Sequence, residues 1–228
     1  MTRRLVWLFD LDNTLHNASH AIFPAINHNM NALITRVLDA QQLPSDPDAV
    51  NALRVAYWHR YGATLLGMVR HHGVGAADFL HEAHQFDDLA QMIRAERGMA
   101  RLLRRLPGRK ILLTNAPRAY SHLVLRHLGL HRHFAEHVPI EGMRVHRQWR
   151  PKPSSLMLRR LLRQRRLDAA RCVLVEDSPE NLKSAKSLGL GTVLFTRFSP
   201  RRHSRPGFAD VQVKSLHQLP RRLSRLQR

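Results

Sequence analysis

Two aspartates separated by one residue follow a short apolar run near the start of the chain. The run Leu5–Phe9 suits a buried strand, and Asp10 and Asp12 come directly after it. Carboxylates this close repel each other, and burial at the end of a core strand penalises the charged form of each. The pattern therefore predicts that a cation lies between the two aspartates.

Polar side chains also end two later runs of the same apolar kind. Thr114 and Asn115 end one of them, and Glu176 and Asp177 end the other. In parallel sheets, ligands bind beyond the carboxyl ends of the strands. We therefore expect these side chains to meet the two aspartates at one edge of a sheet.

Short strands separated by helical patterns must position these residues. Each run has four or five residues, is rich in Val, Ile and Leu, and suits a strand that is buried on both faces. The alternation of strand and helix predicts an α/β domain with a parallel sheet. The predicted strands are Leu5–Phe9, Lys110–Thr114, Cys172–Glu176 and Thr192–Phe195, with weaker candidates at Phe134–Val138 and at Val211 and Val213.

The first two strands are separated by about a hundred residues, whereas a simple crossover needs only about a dozen. Helical spacing of apolar residues predicts three helices in this stretch, so we expect an inserted helical unit. The predicted helices run from Phe23 to Leu38, with Pro24 near the first turn, over Val50–His59 and over Ala76–Phe86. The predicted domains are a core formed by residues 1–16 and 97–228 and an insertion over 17–96; residues 201–209 suit a loop, and a basic helix begins at Leu216.

Composition limits the class of protein. Hydrophobic residues make up 43% of the 228 residues, which is ordinary for a folded globular chain. The single Cys172 excludes an internal disulfide and fits a reducing compartment. No apolar stretch approaches the ~20 residues of a membrane span, and the first apolar run is too short for a signal-peptide core. We therefore expect a cytoplasmic protein with no membrane partner.

The formal net charge is +20, and the basic residues are 32 Arg and only 5 Lys. Nucleic-acid binding is one interpretation, because a basic surface attracts phosphates. Aromatic residues amount to only 6% and do not alternate with the arginines as stacking platforms. The simpler interpretation is a solvated basic surface, so the charge alone names no partner. The arginines are densest in Arg101–Arg109, Arg144–Arg171 and Arg197–Arg228.

The segment DLDNT after an apolar strand resembles the first motif, Asp-x-Asp-x-Thr, of the haloacid dehalogenase-like (HAD) superfamily of phosphotransferases. Further motifs of that superfamily occur in the expected order between residues 6 and 191. The resemblance implies a Rossmann-like parallel sheet flanked by helices, with an inserted α-helical cap. The matching residues are Asp10, Asp12 and Thr14 in the first motif, Thr114 in the second, Lys152 of RPKPSS in the third, and Glu176 and Asp177 of VLVEDSPEN in the fourth.

The resemblance implies a phosphatase with two catalytic aspartates. Asp10 would attack phosphorus and form an aspartyl-phosphate that water then hydrolyses. Asp12 would act as general acid toward the leaving alkoxide and then as general base toward water. Its presence separates this chain from dehalogenases, which lack the second aspartate, and from cation pumps, which carry a threonine there.

The resemblance also implies Mg²⁺ as the cofactor and thus a cation near the aspartates. The metal ligands would be the Asp10 carboxylate, the Asp12 backbone carbonyl and Asp177, with Glu176 close by. Oxygen ligands of this kind suit that hard cation. The remaining phosphate oxygens would be bound by Thr114 of the second motif, by the neighbouring Asn115 and by Lys152 of the third motif.

Some of these residues also have simpler interpretations. Thr114 suits a helix cap, and Lys152 suits a surface position in its Pro-Lys-Pro stretch. Asn181 is expected to support the acidic loop by hydrogen bonding and to do no chemistry. His16 flanks the site, but the chain has 16 histidines, most of which must be surface or packing residues.

The insertion corresponds to the helical cap of one branch of the superfamily. Within it, LFDLDNTLHNASHAIFPAINHNM and YGATLLGMVRHHGV are similar to pyrimidine 5′-nucleotidases of that superfamily. This resemblance implies a pyrimidine mononucleotide as the phosphomonoester substrate. Asn17, Tyr61 and Thr64 are candidates to contact its base or ribose, with packing in the cap as the alternative for each.

Two further functions remain open at this point. One is another small-molecule phosphatase, or a sugar-phosphate mutase, with the same core and a different cap preference. The other is a basic nucleic-acid-binding protein whose phosphatase core is incidental. The sequence does not indicate the oligomeric state.

Overall fold

A parallel sheet of six strands forms the centre of the fold in the computed structural model, which describes residues 5–198 and 206–226. The order of the strands is β3-β2-β1-β6-β7-β8, and β4 and β5 form a separate antiparallel hairpin. The strands are β1 (Val6–Phe9), β2 (Arg109–Leu113), β3 (Glu136–Val138), β4 (Arg144–Val145), β5 (Gln148–Trp149), β6 (Cys172–Glu176), β7 (Gly191–Phe195) and β8 (Val211–Val213).

Helices flank the sheet and fill the long connection after β1. They are α1 (Ile22–Ala40), α2 (Pro47–Tyr61), α3 (Thr64–His72), α4 (Ala76–Ala83), α5 (Leu89–Met92), α6 (Met99–Arg105), α7 (Arg118–His127), α8 (Ser155–Gln164) and α9 (Pro179–Lys186). Shorter 3₁₀ segments cover His131–His133, Ile140–Gly142 and Ala169–Arg171, and a longer one covers Leu216–Arg225.

Strand β1 lies between β2 and β6 and determines where the strand ends meet. Trp7, Leu8 and Phe9 are fully buried, as expected for a central strand that is covered on both faces. Phe9 pairs with Leu112 of β2 on one side and with Val175 of β6 on the other. The residues that follow these three strands therefore lie side by side at one edge of the sheet.

The helices near this edge begin at residues that cap them well. The Ser154 hydroxyl accepts a hydrogen bond from the Met157 N–H at the start of α8, and Ser178 does the same for Asn181 at the start of α9. Leu158 and Leu161 of α8 are buried against the sheet in the main apolar cluster. Capping and burial therefore hold both helices in place beside the polar edge of the sheet.

The chain separates into two compact units, Met1–Ser19 with Ile93–Arg228 and His20–Met92. We call the second the helical unit; it consists of α1 to α5, and its α1 packs against α2 and α4. The sequence-based boundaries lie at residues 17 and 96 instead of 20 and 92. The role of the helical unit as a cap stays a prediction.

No helix among the described residues combines the length and apolar character needed to cross a bilayer.

The predicted α/β class and parallel sheet are confirmed, and all six predicted strands are present. Three features differ. The β4–β5 hairpin was not predicted, and α3 occupies a stretch that was assigned to no element. The tail from Leu216 is a 3₁₀ helix, and it contains Pro220, which has no N–H to donate. Residues 201–205 of the predicted loop lie outside the described residues, and residues 206–209 are in neither helix nor strand.

Candidate active site

Three carboxylates converge where β1 and β6 end. Asp10, Glu176 and Asp177, here called the acidic cluster, each place an oxygen within 4.8 Å of the others. Asp10 and Glu176 are 6% and 1% exposed, so neither charge is freely hydrated. The predicted meeting of the strand ends therefore brings the first and fourth motifs together.

The cation found at the acidic cluster is the ammonium group of Lys152. Its Nζ donates to Asp10 Oδ1 at 2.6 Å and to Glu176 Oε1 at 2.9 Å, and the side chain is 3% exposed. Burial alone would lower the pKa of Lys152, but attraction to both carboxylates and the hydrogen bonds outweigh it and raise that pKa. Lys152 is thus a buried, charged residue, and its predicted phosphate contact would be made from this position.

The Asn115 side chain holds the backbone of Lys152 in place. Its Oδ1 accepts from the Lys152 N–H at 2.9 Å, and its Nδ2 donates to the Lys152 carbonyl at 3.0 Å. Thr114 is buried, and its hydroxyl oxygen accepts from the Ala116 N–H at 3.0 Å, which leaves the hydroxyl proton to be donated elsewhere. The second motif therefore positions the third.

Glu176 organises the loop after β6. Its Oε1 also accepts from the side-chain amide of Asn181, as expected for that residue, and its Oε2 accepts from the Asp177 N–H at 3.0 Å. Burial raises the pKa of Glu176, but Lys152 and these hydrogen bonds outweigh it and lower the pKa below its ordinary value. Glu176 is therefore an ionised anchor for Lys152 and for the Asp177 backbone.

The acidic cluster still carries more negative charge than one ammonium group can neutralise. Burial, followed by repulsion from Glu176, raises the pKa of Asp10 from 3.8 to about 8 despite the attraction of Lys152. Burial and repulsion from Glu176 and Asp10 also raise the pKa of Asp177 well above its ordinary value. Buried carboxylates with this charge excess form a ligand set that fits a hard divalent cation.

Asp12 is held by two side chains on one oxygen. Tyr120 of α7 donates its hydroxyl to Asp12 Oδ1 at 2.6 Å, and His16 Nε2 lies 2.8 Å from the same oxygen. Burial, followed by the negative charge of Asp12, raises the pKa of Tyr120 well above 10, so the phenol keeps its proton. The role of Tyr120 was not predicted, and His16 was noted only as a flanking residue.

The loop after β1 is closed by its own polar residues. Asn13 has a left-handed backbone with φ of 57°, and its side chain binds Ser19 twice, at 2.8 and 3.0 Å. The Thr14 hydroxyl is buried, and among the described residues it has no hydrogen-bond partner. The first motif is therefore held in a tight, buried loop.

The predicted substrate contacts lie in different surroundings. Asn17 follows the first motif, and its N–H donates to the Arg94 carbonyl at 2.6 Å. In the helical unit, the Tyr61 hydroxyl pairs with His71 Nε2 at 2.6 Å, and the buried Thr64 donates its hydroxyl to the Arg54 carbonyl at 3.0 Å. These bonds describe packing within each unit, and substrate contact by any of the three stays a prediction.

The family model of haloacid dehalogenase-like hydrolases matches residues 6–189, which is most of the chain. The chain belongs to this family. The residues that form the acidic cluster, Lys152 and the Asp12 environment all lie inside the matched range. The protein is therefore a HAD-like hydrolase, and the resemblance inferred from its four motifs is correct at this level.

Several solved HAD structures share the fold over nearly their whole length. A HAD phosphatase from Thermococcus onnurineus has a TM-score of 0.64 at 15% identity and covers 99% of this chain and 100% of its own. CbbY from Rhodobacter sphaeroides, in complex with phosphate, has a TM-score of 0.61 at 21% identity, with 95% and 96% covered. The HAD hydrolase YfnB from Bacillus subtilis, bound to magnesium, has a TM-score of 0.60 at 15% identity, with 97% and 99% covered. At these identities the likeness shows the fold alone.

Replacing Lys152 with methionine should destabilise the HAD-like hydrolase by about 3–5 kcal/mol, because Glu176, which the lysine keeps ionised, would lose its buried partner. Without the lysine, burial would raise the pKa of Glu176 on folding, and a carboxyl whose pKa is raised on folding makes the protein less stable as the pH rises toward that pKa. The loss in K152M should therefore be larger at pH 8 than at pH 5.5.

Urea unfolding at both pH values measures this effect, and Lys186→Met is the matched control. Lys186 pairs with Asp210 at the surface and is 40% exposed, so its loss should change stability by no more than about 1 kcal/mol at either pH. Equal losses in the two variants would contradict the structural role assigned to Lys152.

Proposed function

We propose that this HAD-like hydrolase is a Mg²⁺-dependent phosphatase that hydrolyses phosphate monoesters through an aspartyl-phosphate intermediate. The observation that carries the proposal is the second aspartate. Asp12 follows Asp10 at the edge of the sheet and is oriented by Tyr120 and His16, so a proton donor stands beside the nucleophile. A phosphatase needs this donor for its alkoxide leaving group, whereas a halide leaves without a proton.

Asp10 would be the nucleophile. One of its carboxylate oxygens forms a bond to phosphorus while the bond from phosphorus to the ester oxygen breaks. Asp12 gives its proton to the departing oxygen. In the second half-reaction, Asp12 takes a proton from water as the water oxygen attacks phosphorus and the Asp10 carboxylate is released.

Lys152 and Thr114 would bind the phosphoryl oxygens. Lys152 is already at the Asp10 carboxylate, 2.6 Å from Oδ1, so a phosphoryl group on Asp10 would lie within reach of its ammonium. The Thr114 hydroxyl retains a proton to donate at the end of the neighbouring strand. Asn115 would contribute by fixing the Lys152 backbone, and donors set in place before reaction stabilise developing charge most effectively.

The Asp10 carboxylate, the Asp12 backbone carbonyl and Asp177 would hold Mg²⁺, with Glu176 beside them. When bound, the ion neutralises phosphate oxygens and lets a dianionic substrate approach a carboxylate nucleophile. The charge excess of the acidic cluster and the raised pKa values of Asp10 and Asp177 support this assignment. The magnesium bound to the YfnB structure supports it by analogy of fold.

We further propose a pyrimidine mononucleotide as the substrate and the cytoplasm as the location. Support for the substrate comes from the similarity of residues 8–30 and 61–75 to pyrimidine 5′-nucleotidases. The proposed contacts to the base or ribose are Asn17, which follows the first motif, and Tyr61 and Thr64 of the helical unit. The net charge of +20 should raise encounter rates with a dianionic substrate at low salt without selecting a base.

Asp10→Asn should abolish phosphate release, because an amide cannot attack phosphorus, and Asp12→Asn should slow it by about 10²–10⁴-fold. Chelation with EDTA should stop the wild-type enzyme, and added Mg²⁺ should restore it. Asp87→Asn, which removes one exposed carboxylate of the helical unit, is the control and should retain full activity. Near-normal turnover by Asp10→Asn would rule out covalent catalysis at this residue, and full activity in EDTA would rule out the metal.

The kcat/KM for UMP and CMP should exceed that for AMP and GMP by ~10-fold or more, because a pocket shaped for one ring excludes a purine. A phosphate-release assay over these nucleotides, with sugar phosphates as further substrates, measures this directly. Equal values for all four nucleotides, or a preferred sugar phosphate, would leave the phosphatase proposal in place and remove the nucleotidase assignment.

A further inference from the structure

Two buried side chains from different elements meet on one oxygen of Asp12. Tyr120 of α7 is 2% exposed and His16 of the loop after β1 is fully buried, and both contact Asp12 Oδ1. Tyr120 Oη and His16 Nε2 are themselves 3.4 Å apart. Because an ionised carboxylate only accepts hydrogen bonds, His16 carries a proton on Nε2 when it donates to Asp12.

Two donors on one carboxylate oxygen have two effects on the carboxyl group. They fix its orientation, and as hydrogen-bond donors they favour its ionised form. We propose that Tyr120 and His16 are positioning residues that hold the Asp12 carboxyl in the orientation in which it exchanges its proton with the substrate. This inference rests on the proposed phosphatase function and assigns roles to two residues outside its motifs.

Loss of Tyr120 or His16 should slow only the steps in which Asp12 transfers a proton. The Asp12 proton moves to the ester oxygen as the bond from phosphorus to that oxygen breaks, and Asp12 later takes a proton from the attacking water. An ester whose leaving group departs readily as an anion needs little help from the first transfer. Loss of positioning should therefore affect poor leaving groups most, whereas general damage to the site would affect all esters alike.

The leaving-group dependence of kcat/KM tests the proposal, because kcat/KM reports only the steps up to loss of the leaving group. In Tyr120→Phe and in His16→Leu, kcat/KM should fall by about 10-fold or more for UMP and change little for 4-nitrophenyl phosphate. His16→Gln places an amide donor near the position of Nε2 and should recover most of the loss for UMP.

UMP is the ester with the poor leaving group, and another alkyl phosphate that the wild-type enzyme cleaves replaces it if UMP is not a substrate. Equal losses for UMP and 4-nitrophenyl phosphate, or no recovery in His16→Gln, would overturn the positioning role and leave the phosphatase in place. A wild-type enzyme that releases phosphate from neither ester would overturn the proposed function together with this inference. Circular dichroism melting checks that each variant is folded, and the pair His16→Leu and His16→Gln tests the proposal where Tyr120→Phe fails to fold.

A second feature, independent of the first, is a groove lined by arginines beside α8. The arginine groove encloses about 550 Å³ and lies between the β4–β5 hairpin and the exposed face of α8. Its lining residues are Val145, His146, Arg147, Leu156, Arg159, Arg160 and Arg163. Four of these lining residues are arginines, and none is a carboxylate. The groove therefore has a strong, uncompensated positive potential.

Two local features of the arginine groove destabilise the folded protein. Arg159 and Arg163 are one helical turn apart, which places like charges side by side on α8. His146 and Arg147 both have left-handed backbones, with φ of 51° and 64°, in a hairpin turn that favours glycine or asparagine. In the part of the chain that the structure describes, no ion pair with a carboxylate is recorded for Arg147, Arg159, Arg160 or Arg163.

Repulsion and strain maintained without a neutralising partner point to a ligand that supplies the negative charge. The geometry points to a nucleic-acid strand bound by its phosphates, because a series of phosphates matches several guanidinium groups along one groove. Leu156 is 43% exposed in the same groove and offers an apolar surface to a sugar or base. The arginine groove is thus proposed as a nucleic-acid site separate from the acidic cluster.

The test is binding of a labelled oligouridylate, followed by fluorescence anisotropy over a range of salt. Replacing Arg147, Arg159 and Arg163 with glutamine should weaken binding and reduce the slope of log K against log salt by about 2, at ~0.7 per lost phosphate contact. The control carries glutamine at the exposed Arg101, Arg104 and Arg105 of α6 and has the same net charge. Both variants should retain wild-type turnover of 4-nitrophenyl phosphate.

An equal loss in the groove variant and the α6 variant would overturn the site, because binding would then follow net charge alone. Binding of inorganic polyphosphate without binding of the oligouridylate would overturn the nucleic-acid assignment. A weaker complex and a lower slope in the groove variant alone would support it.

Discussion

The ammonium group of Lys152, buried between Asp10 and Glu176, is the interaction on which the site depends. Without it, the central strand and its neighbour β6 would each end in a buried carboxylate, and the two charges would repel each other across the sheet. Asn115 fixes the Lys152 backbone, and Glu176 fixes the backbone of Asp177. One cation therefore connects three strand ends into a single site.

The same arrangement explains why a second cation fits. A single ammonium group compensates Glu176, whose pKa is lowered, but leaves Asp10 and Asp177 with raised pKa values. The protein thus separates its carboxylates into an ionised anchor and a pair whose ionisation a divalent ion would favour. Asp12 takes part in this balance, because its charge also raises the pKa of Asp10, and its Oδ1 is contacted by the neutral phenol of Tyr120 and the imidazole of His16.

The sheet and the main contacts of the site could be predicted because they follow from local patterns and one topological rule. Apolar runs identify the strands, and the carboxyl ends of parallel strands bring Asp10, Thr114 and Glu176 together. The contact of Tyr120 with Asp12 could not be predicted, since the two residues are 108 positions apart and nothing in the sequence around Tyr120 identifies it as a partner of Asp12. The β4–β5 hairpin was missed because His146 and Arg147 replace the usual Asn-Gly turn signal. The substrate contacts proposed for Asn17, Tyr61 and Thr64 stay predictions, because residues that contact a base or ribose follow no spacing rule.

The position of β1 in the sheet has a consequence for how the chain folds. Val6 of β1 pairs with Arg109 of β2 and with Cys172 of β6. Strand β1 is therefore synthesised about a hundred residues or more before either of the strands with which it pairs. Such non-local pairing slows folding, because the entropy of closing a long loop is lost before the contacts form. The helical unit consists of local contacts and can fold first, which shortens the effective loop between β1 and β2. The acidic cluster can then form only after β6, which ends in Glu176, has paired with β1.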